Sequence, residues 1–308
     1  MQQKPVARRH HFVPQSYLGR FTDNGTKTGF LCVLEIETKR AFRTSPKNVA
    51  VEQDFNRIDS DDYPPDHLEN QFSAIEAAAS NATERVVGAE VFPNDEDYSA
   101  ILALMGLLAV RNPLSRASFN AARDHSLRII GGMLAADEHL FRNHVKNAIA
   151  AGADIPDDIS FEDFRAFIEN DNYDIEFSSH SNLRVEIGNW ENIIHVLHER
   201  HYSLILAPED GPQFITCDHP VALACKSGLS RPLGLGTRHT DLFFPLSPRA
   251  GLYGVYEGEL NRVVRAKPGN VATMNKRVFS SAMRHVYSAG PKLSIWEDGQ
   301  VVQLRMDV

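Results

Sequence analysis

The sequence predicts an α+β fold for this chain of 308 residues. Residues 29–43 have the pattern of a strand pair, the middle of the chain has apolar residues at helical spacing, and short apolar runs follow residue 201. Strands and helices are therefore segregated along the chain, which is typical of α+β proteins. We expect an N-terminal β hairpin, a central helical bundle, and a C-terminal mixed or antiparallel β region with one helix.

The N-terminal region, residues 1–60, is predicted to be an arm followed by the hairpin. Pro14 is suited to open a short helix, since proline is tolerated in the first helical turn. Asp23-Asn24-Gly25 predicts a turn, and residues 29–38 and 39–43 predict the two strands.

The central region, residues 61–200, is predicted to be helical. Leu68, Phe72, Ile75 and Ala79 recur at three- and four-residue steps, which indicates a helix that begins at Pro64-Pro65. Residues 98–110 are the most apolar segment, but they are shorter than the roughly 20 residues that span a bilayer. We therefore expect a buried core helix and no membrane association. Further helices are predicted over 95–111, 114–150 with a break at Gly131-Gly132, 161–169 and 182–200.

The C-terminal region, residues 201–308, is predicted to be rich in strands. Its short apolar runs are separated by glycine and proline, and one helical segment, 270–287, interrupts them. The loop over 208–212 is the best candidate boundary, but we expect one domain over 1–308. The predicted strands cover 202–206, 213–217, 241–245, 251–256 and 294–297.

Charge and cysteine content limit the function classes. A net charge of -8 disfavours broad attraction to nucleic acid, although residues 4–9 form a local basic patch. Cys32, Cys217 and Cys225 show no CxxC spacing, so neither a zinc knuckle nor a disulfide framework is indicated. No apolar run follows the first basic residues, as a secretory signal would require. We expect a cytoplasmic protein.

The sequence His10-His11-Phe12-Val13-Pro14-Gln15 is the leading candidate for chemistry. Imidazole changes charge near neutral pH and is a common metal ligand, so His10 and His11 are candidate catalytic groups and metal ligands, with Gln15 beside them. The alternative is that one imidazole bonds a turn while the other faces solvent. The HxxP string resembles the first element of the His-Asn-His nucleases. Such a nuclease adds a second histidine on the following hairpin and helix, yet no histidine occurs between His11 and His67.

Three other polar residues are candidates for the same site. Asp218 ends an apolar strand, where side chains project into clefts, although aspartate also forms turns. Glu69 and Glu76, seven residues apart on the predicted helix, are candidates for paired carboxylates, although a solvated helix flank is the commoner explanation. Arg111 ends the most apolar helix, as an anion-binding group or as an electrostatic cap.

Five segments of the chain resemble one family. They are HHFVPQSYLGRF, ENQFSAIE, VRNP, FITCDHPV and FPLSP, and together they resemble the bacterial domain-of-unknown-function 4238 family over essentially the full chain. In that family the start usually has the form HHYVPQ, and the late motif FITSDNPV. Phe12, Cys217 and His219 stand here where Tyr, Ser and Asn are usual. The resemblance implies a shared fold and shared motif positions, and no particular reaction.

Two functions of different class remain open from the sequence. In the first, His10, His11, Gln15, Glu69, Arg111 and Asp218 share one cleft of a metal-dependent hydrolase or nuclease-like enzyme. There a divalent metal is held by His10, His11, Glu69 and Asp218, and the substrate is nucleic acid or another anionic molecule. In the second, the same groups form a structural network in a noncatalytic interaction protein. Phosphate loops, nucleophile elbows, HExxH helices and dinucleotide fingerprints are absent from the sequence.

Overall fold

A computed structural model of the protein describes residues 8–58, 67–156, 159–225, 234–258 and 262–308. Over these residues the chain has the predicted α+β architecture. It divides into two compact units, a larger one of Met1–Ser115 and Ser179–Val308 and a smaller one of Arg116–Ser178. The loop over 208–212 lies inside the larger unit. The predicted start of a helix at Pro64-Pro65 lies outside the described residues.

Helices occupy the middle of the chain and one segment near its end, as predicted. They are α1 Gln15–Leu18, α2 His67–Ala89, α3 Asp95–Val110, α4 Pro113–Ala136, α5 Glu138–Ala150, α6 Phe161–Asn170, α7 Ser179–His198 and α8 Pro268–Ser281. The strands are β1 Arg9–His11, β2 Leu31–Glu35, β3 Ala41–Thr44, β4 Val51–Gln53, β5 His201–Leu206, β6 Thr216–Cys217, β7 Ala222–Cys225, β8 Thr240–Ser247, β9 Ala250–Val255, β10 Arg262–Arg265, β11 His285–Ser288, β12 Lys292–Glu297 and β13 Gln300–Arg305.

The described strands form four sheets, all in the larger unit. The five-stranded sheet has the order β10-β5-β9-β8-β7, in which β10 and β5 are parallel and the other pairs antiparallel. The four-stranded sheet, β3-β2-β11-β6, is antiparallel and contains the predicted hairpin β2–β3. The pairs β1–β4 and β12–β13 are separate antiparallel ribbons.

Helix α3 forms part of the main hydrophobic core, as its sequence predicted. Asn94 caps its first turn by accepting a hydrogen bond from the Asp97 amide at 2.8 Å. Leu104 and the apolar residues around it are buried on most of the helix circumference. Such a helix needs neighbours on several sides, and α2 and α7 both pack against it.

Three predicted boundaries were wrong, one because of a local helix cap and two because of contacts between distant segments. The long helix breaks at Asp137 and not at Gly131-Gly132, because Asp137 caps α5 by accepting the Leu140 amide at 3.1 Å. Helix α8 ends at Ser281 because residues 285–288 form β11, which lies between β2 and β6. Strand β6 is short because the Ile215 amide donates to the Asn275 side chain on α8 at 3.1 Å, rather than to a strand.

The smaller unit contains most of α4 together with α5 and α6. Its aromatic contacts centre on Phe141, whose ring lies 5.5 Å from that of Phe161 and 4.7 Å from that of Phe164. No single helix among the described residues has the length and apolar content to cross a bilayer, and α3 and α4 pass that test only as a bent pair.

Candidate functional site

The two adjacent histidines lie on β1, where neighbouring side chains project to opposite faces. His10 is buried, and its Nδ1 accepts a hydrogen bond from the Asn56 amide at 3.0 Å. His11 is half-buried and lines a cavity on the other side. The strand geometry therefore separates the pair and gives the two imidazoles different surroundings.

The cavity beside His11 has a volume of about 320 Å³. Gln15, in the first turn of α1, lies on its wall, because Pro14 in an extended conformation directs the chain from β1 into that helix. Glu69 and Glu76 come from α2, where a spacing of seven residues puts both on one face. The remaining lining residues are Arg9, Pro14, Ser16, Lys27 and Ser73.

Arg111 fixes β1 and α2 at this cavity. Its guanidinium donates to the His11 carbonyl and to Glu76 Oε1, both at 3.3 Å. The guanidinium carbon lies 4.3 Å from the centre of the Phe72 ring, and the residue is only 1% exposed. A buried cation requires partners of this kind. Through these two hydrogen bonds Arg111 in turn holds the His11 backbone and the Glu76 side chain in position.

Asn56 forms a second link between the motifs. Its amide N–H donates to His10, and its Nδ2 donates to Glu69 Oε1 at 2.5 Å. Glu69 is thereby held against the segment that follows β4. One asparagine thus connects His10, which faces away from the cavity, with Glu69, which lines it.

Two titratable groups at the cavity have shifted pKa values. Burial raises the pKa of Glu76 to about 7; Arg111 opposes the shift and Glu69 adds to it. Burial lowers the pKa of His11, against the opposing effect of the Lys47 and Pro46 backbone. At neutral pH His11 is therefore uncharged, while Glu76 is present in both protonation states.

His11 has one ring nitrogen without a partner. Its Nε2 is shielded from solvent and has no hydrogen-bond partner within the described part of the chain. The backbone at Pro46 and Lys47 forms hydrogen bonds with the His11 ring. Since Nε2 has no partner, we assign the proton to Nδ1 and the lone pair to Nε2. An unsatisfied buried nitrogen is costly, and such groups occur where a ligand, a water or a reaction uses them.

Asp218 has a different environment. Its carboxylate accepts three backbone hydrogen bonds, from Met283 at 2.8 Å, Arg284 at 2.7 Å and His285 at 3.0 Å. These amides join the end of α8 to β11, so Asp218 holds the turn that starts this strand. It does not line the cavity beside His11.

The residues predicted to bind a metal are distributed over these different surroundings. His11 and Glu69 line the cavity, His10 faces the other side of β1, and Asp218 binds backbone amides. Across the described ranges no group of three or more histidine, cysteine, aspartate or glutamate side chains has a geometry that could hold a metal ion.

Tyr17 is a structural residue that the sequence did not reveal. Its hydroxyl is fully buried and forms hydrogen bonds of 2.8 Å with Thr216 Oγ1 and with the Pro245 carbonyl. It therefore joins the first motif to the FITCDHPV and FPLSP segments. The seven-residue spacing of Glu69 and Glu76 indicated a carboxylate pair in the sequence, with a solvated helix flank as the commoner explanation. Asn56 and Lys27 had no local signal, because turns and loops bring them to the site.

The motif segments thus meet at two places, the polar cavity beside His11 and the buried junction at Tyr17. The family model described as "Protein of unknown function (DUF4238)" matches residues 9–291, a span that contains both places. Neither the curated proteins nor the solved structures contain a match to this chain. The match covers most of the sequence, and the chain therefore belongs to the DUF4238 family.

Proposed function

We propose that the protein is a hydrolase that acts on a small anionic ester, with a phosphodiester as the first class to test, and that its reaction takes place in the cavity beside His11. The observation that carries this proposal is the pairing of an unpartnered imidazole nitrogen with a carboxyl group of pKa about 7 around one polar cavity. Groups with pKa values near neutrality are suited to proton transfer at physiological pH.

His11 is the proposed general base and Glu76 the proposed general acid. In this scheme substrate binding opens the solvent-shielded Nε2 of neutral His11 to the attacking water, and Nε2 takes the proton of that water. Protonated Glu76 gives a proton to the leaving oxygen. Arg9 and Lys27, both exposed at the cavity, supply positive charge for the anion. Arg111 is a positioning residue in this scheme, because its hydrogen bonds hold the His11 backbone and Glu76.

The metal-dependent form of the hydrolase remains part of the proposal. His11 and Glu69 are the two predicted ligands that line the cavity, so a divalent metal there would take its remaining ligands from water or the substrate. The proposed location is the cytoplasm, in keeping with Cys32, Cys217 and Cys225 as free thiols.

The second candidate function is a noncatalytic interaction protein whose polar motifs form a structural network. The observation that favours it is Arg111, a buried cation that uses its guanidinium to hold β1 against α2. In this case His11 and Glu76 are members of the network and have no substrate.

Hydrolysis of bis-para-nitrophenyl phosphate distinguishes the two functions. The assay compares wild type, His11→Ala and Glu76→Gln, with EDTA and with added Mg²⁺, Mn²⁺ or Zn²⁺. If the site is catalytic, each variant lowers kcat by about 100-fold or more while it remains folded. Wild-type activity should fall at low pH as His11 gains a proton and at high pH as Glu76 loses one through a pKa of about 7.

His285→Ala and Glu84→Gln are the matched controls. His285 is also half-buried with a pKa lowered by burial, but it does not line the cavity, and Glu84 is an exposed residue on the same helix as Glu76. Both should retain wild-type activity. An inactive wild type under all metal conditions, together with a His11→Ala variant that is less stable by about 1 to 3 kcal/mol, would refute the hydrolase and support the network.

A further inference from the structure

A second cavity, of about 500 Å³, lies between β5, β9 and β10 on one side and α8 on the other. Its volume is within the range of small-molecule sites. Its polar lining residues are Tyr253, Arg265, Lys267, Asn270, Thr273 and Arg277, and among the described residues no carboxylate lines it. The cavity shares no lining residue with the one beside His11.

A buried carboxylate below the cavity holds two of these side chains in place. Asp241 Oδ2 accepts a hydrogen bond from the Tyr253 hydroxyl at 2.6 Å and one from Arg277 Nη2 at 3.0 Å. The Asp241 side chain is only 4% exposed. Charge-assisted hydrogen bonds to a buried carboxylate restrict the rotamers of both partners, so the guanidinium is preorganised.

Arg277 still has donor capacity. Its Nη1 is shielded from solvent and has no hydrogen-bond partner within the described residues. An arginine has five N–H donors, and leaving a buried one unsatisfied costs free energy. Arg277 also lines the cavity, so its guanidinium contributes positive charge there.

Lys267 supplies the second charge. It is exposed at the N-terminal end of α8 and has no ion-pair partner in the part of the chain that the structure describes. The first turn of α8 has no acidic residue, so the positive end of the helix dipole is not compensated there. Arg265, by contrast, is already paired with Glu90 at 2.7 Å.

The apolar part of the lining limits the kind of anion. Ile205, Val264 and Met274 lie in the cavity together with the charged groups. A bare inorganic ion would leave these side chains in contact with water, whereas a molecule with an apolar body would cover them.

We propose that this cavity binds a phosphate monoester that has an apolar or aromatic body. Arg277 and Lys267 bind the phosphate oxygens, and the body lies against Met274 and Ile205. Arginine and lysine together suit a phosphate, because one supplies a planar fork of donors and the other a mobile charge. This site is independent of the proposed hydrolase site.

Isothermal titration calorimetry of the full chain with phenyl phosphate tests the proposal. Inorganic phosphate and phenol are the comparison ligands. Phenyl phosphate should bind saturably at low ionic strength, more tightly than inorganic phosphate, while phenol should not bind. Lys267→Gln should weaken binding by about tenfold. Arg277→Lys keeps a cation beside Asp241 but loses the fork, so it should weaken binding as well.

Lys276→Gln is the matched control. Lys276 is the neighbour of Arg277 on α8, but it pairs with Glu297 at 3.2 Å and does not line the cavity. It should bind phenyl phosphate as wild type does. Since Lys267 is exposed, its variant remains informative even if Arg277→Lys does not fold. The proposal is overturned if phenyl phosphate shows no saturable binding, if inorganic phosphate binds equally well, or if the Lys267 and Lys276 variants are affected equally.

Discussion

The pKa of Glu76 predicts an unusual pH dependence of stability. Burial raises this pKa from 4.5 to about 7, so the folded protein binds a proton that the unfolded chain has already released. Stability contributed by a raised carboxyl pKa is fully present below the unfolded value and is lost as pH rises through the folded value. The Glu76 contribution should therefore decline between pH 4.5 and about 7.

The size of the effect follows from the shift. At about 1.4 kcal/mol per pKa unit, the rise of the Glu76 pKa from 4.5 to about 7 corresponds to about 3 kcal/mol of unfolding free energy. Because the Glu76 side chain retains 22% exposure, solvent screening reduces the expected value to about 2 kcal/mol. Glu76→Gln cannot titrate, so the difference in unfolding free energy between wild type and this variant should change by that amount from pH 4.5 to about 8.

Urea denaturation at a series of pH values measures this difference directly. Glu84→Gln, on the exposed side of the same helix, controls for the loss of one glutamate and should give a curve parallel to that of wild type. Parallel curves for wild type and Glu76→Gln would show that Glu76 titrates near its ordinary value. That result would also remove the proton donor from the proposed mechanism.

Three further predictions concern the framework around the site. Tyr17→Phe removes the hydrogen bonds of its hydroxyl to Thr216 Oγ1 and the Pro245 carbonyl and should cost about 1 to 3 kcal/mol in urea denaturation; an unchanged urea midpoint would contradict the role of Tyr17 at this junction. Leu104→Ala should cost about 2 to 5 kcal/mol, and a melting temperature equal to that of wild type would show that α3 is not well packed. Asp218→Asn should lower stability by about 1 to 3 kcal/mol and leave kcat of the folded protein unchanged, whereas a large loss of kcat without loss of stability would make Asp218 catalytic.

Local patterns in the sequence determined most of the secondary structure. The period of Leu68, Phe72 and Ala79 specifies which face of α2 is buried, and the apolar residues of α3 require a core position because they cannot share one face. The strand-like runs at 29–38 and 39–43, which follow the turn at Asp23-Asn24-Gly25, predicted the β2–β3 hairpin. Such signals act over a few residues, so they can be recognised without knowledge of the fold.

The tertiary structure decided which polar residues share a site. Adjacent histidines suggested one centre, but the backbone of β1 directs them to opposite faces, and only His11 meets Glu69 and Glu76. Asp218 finds its partners at residues 283–285, more than 60 positions further along the chain. No local pattern encodes these contacts, because they exist only in the folded chain, where β11 pairs with β6 and β2.

The same distinction applies to burial. From its sequence, Arg111 was a candidate for either an electrostatic cap or an anion-binding group. Its hydrogen bonds to the His11 carbonyl and Glu76 arise only when three segments meet. Burial in turn shifts the pKa of Glu76 to about 7, a property that its position in the sequence does not contain. The sequence by itself determined the elements and their apolar faces. The tertiary structure determined the chemistry, because the pKa and the partners of a polar group depend on what folding places around it.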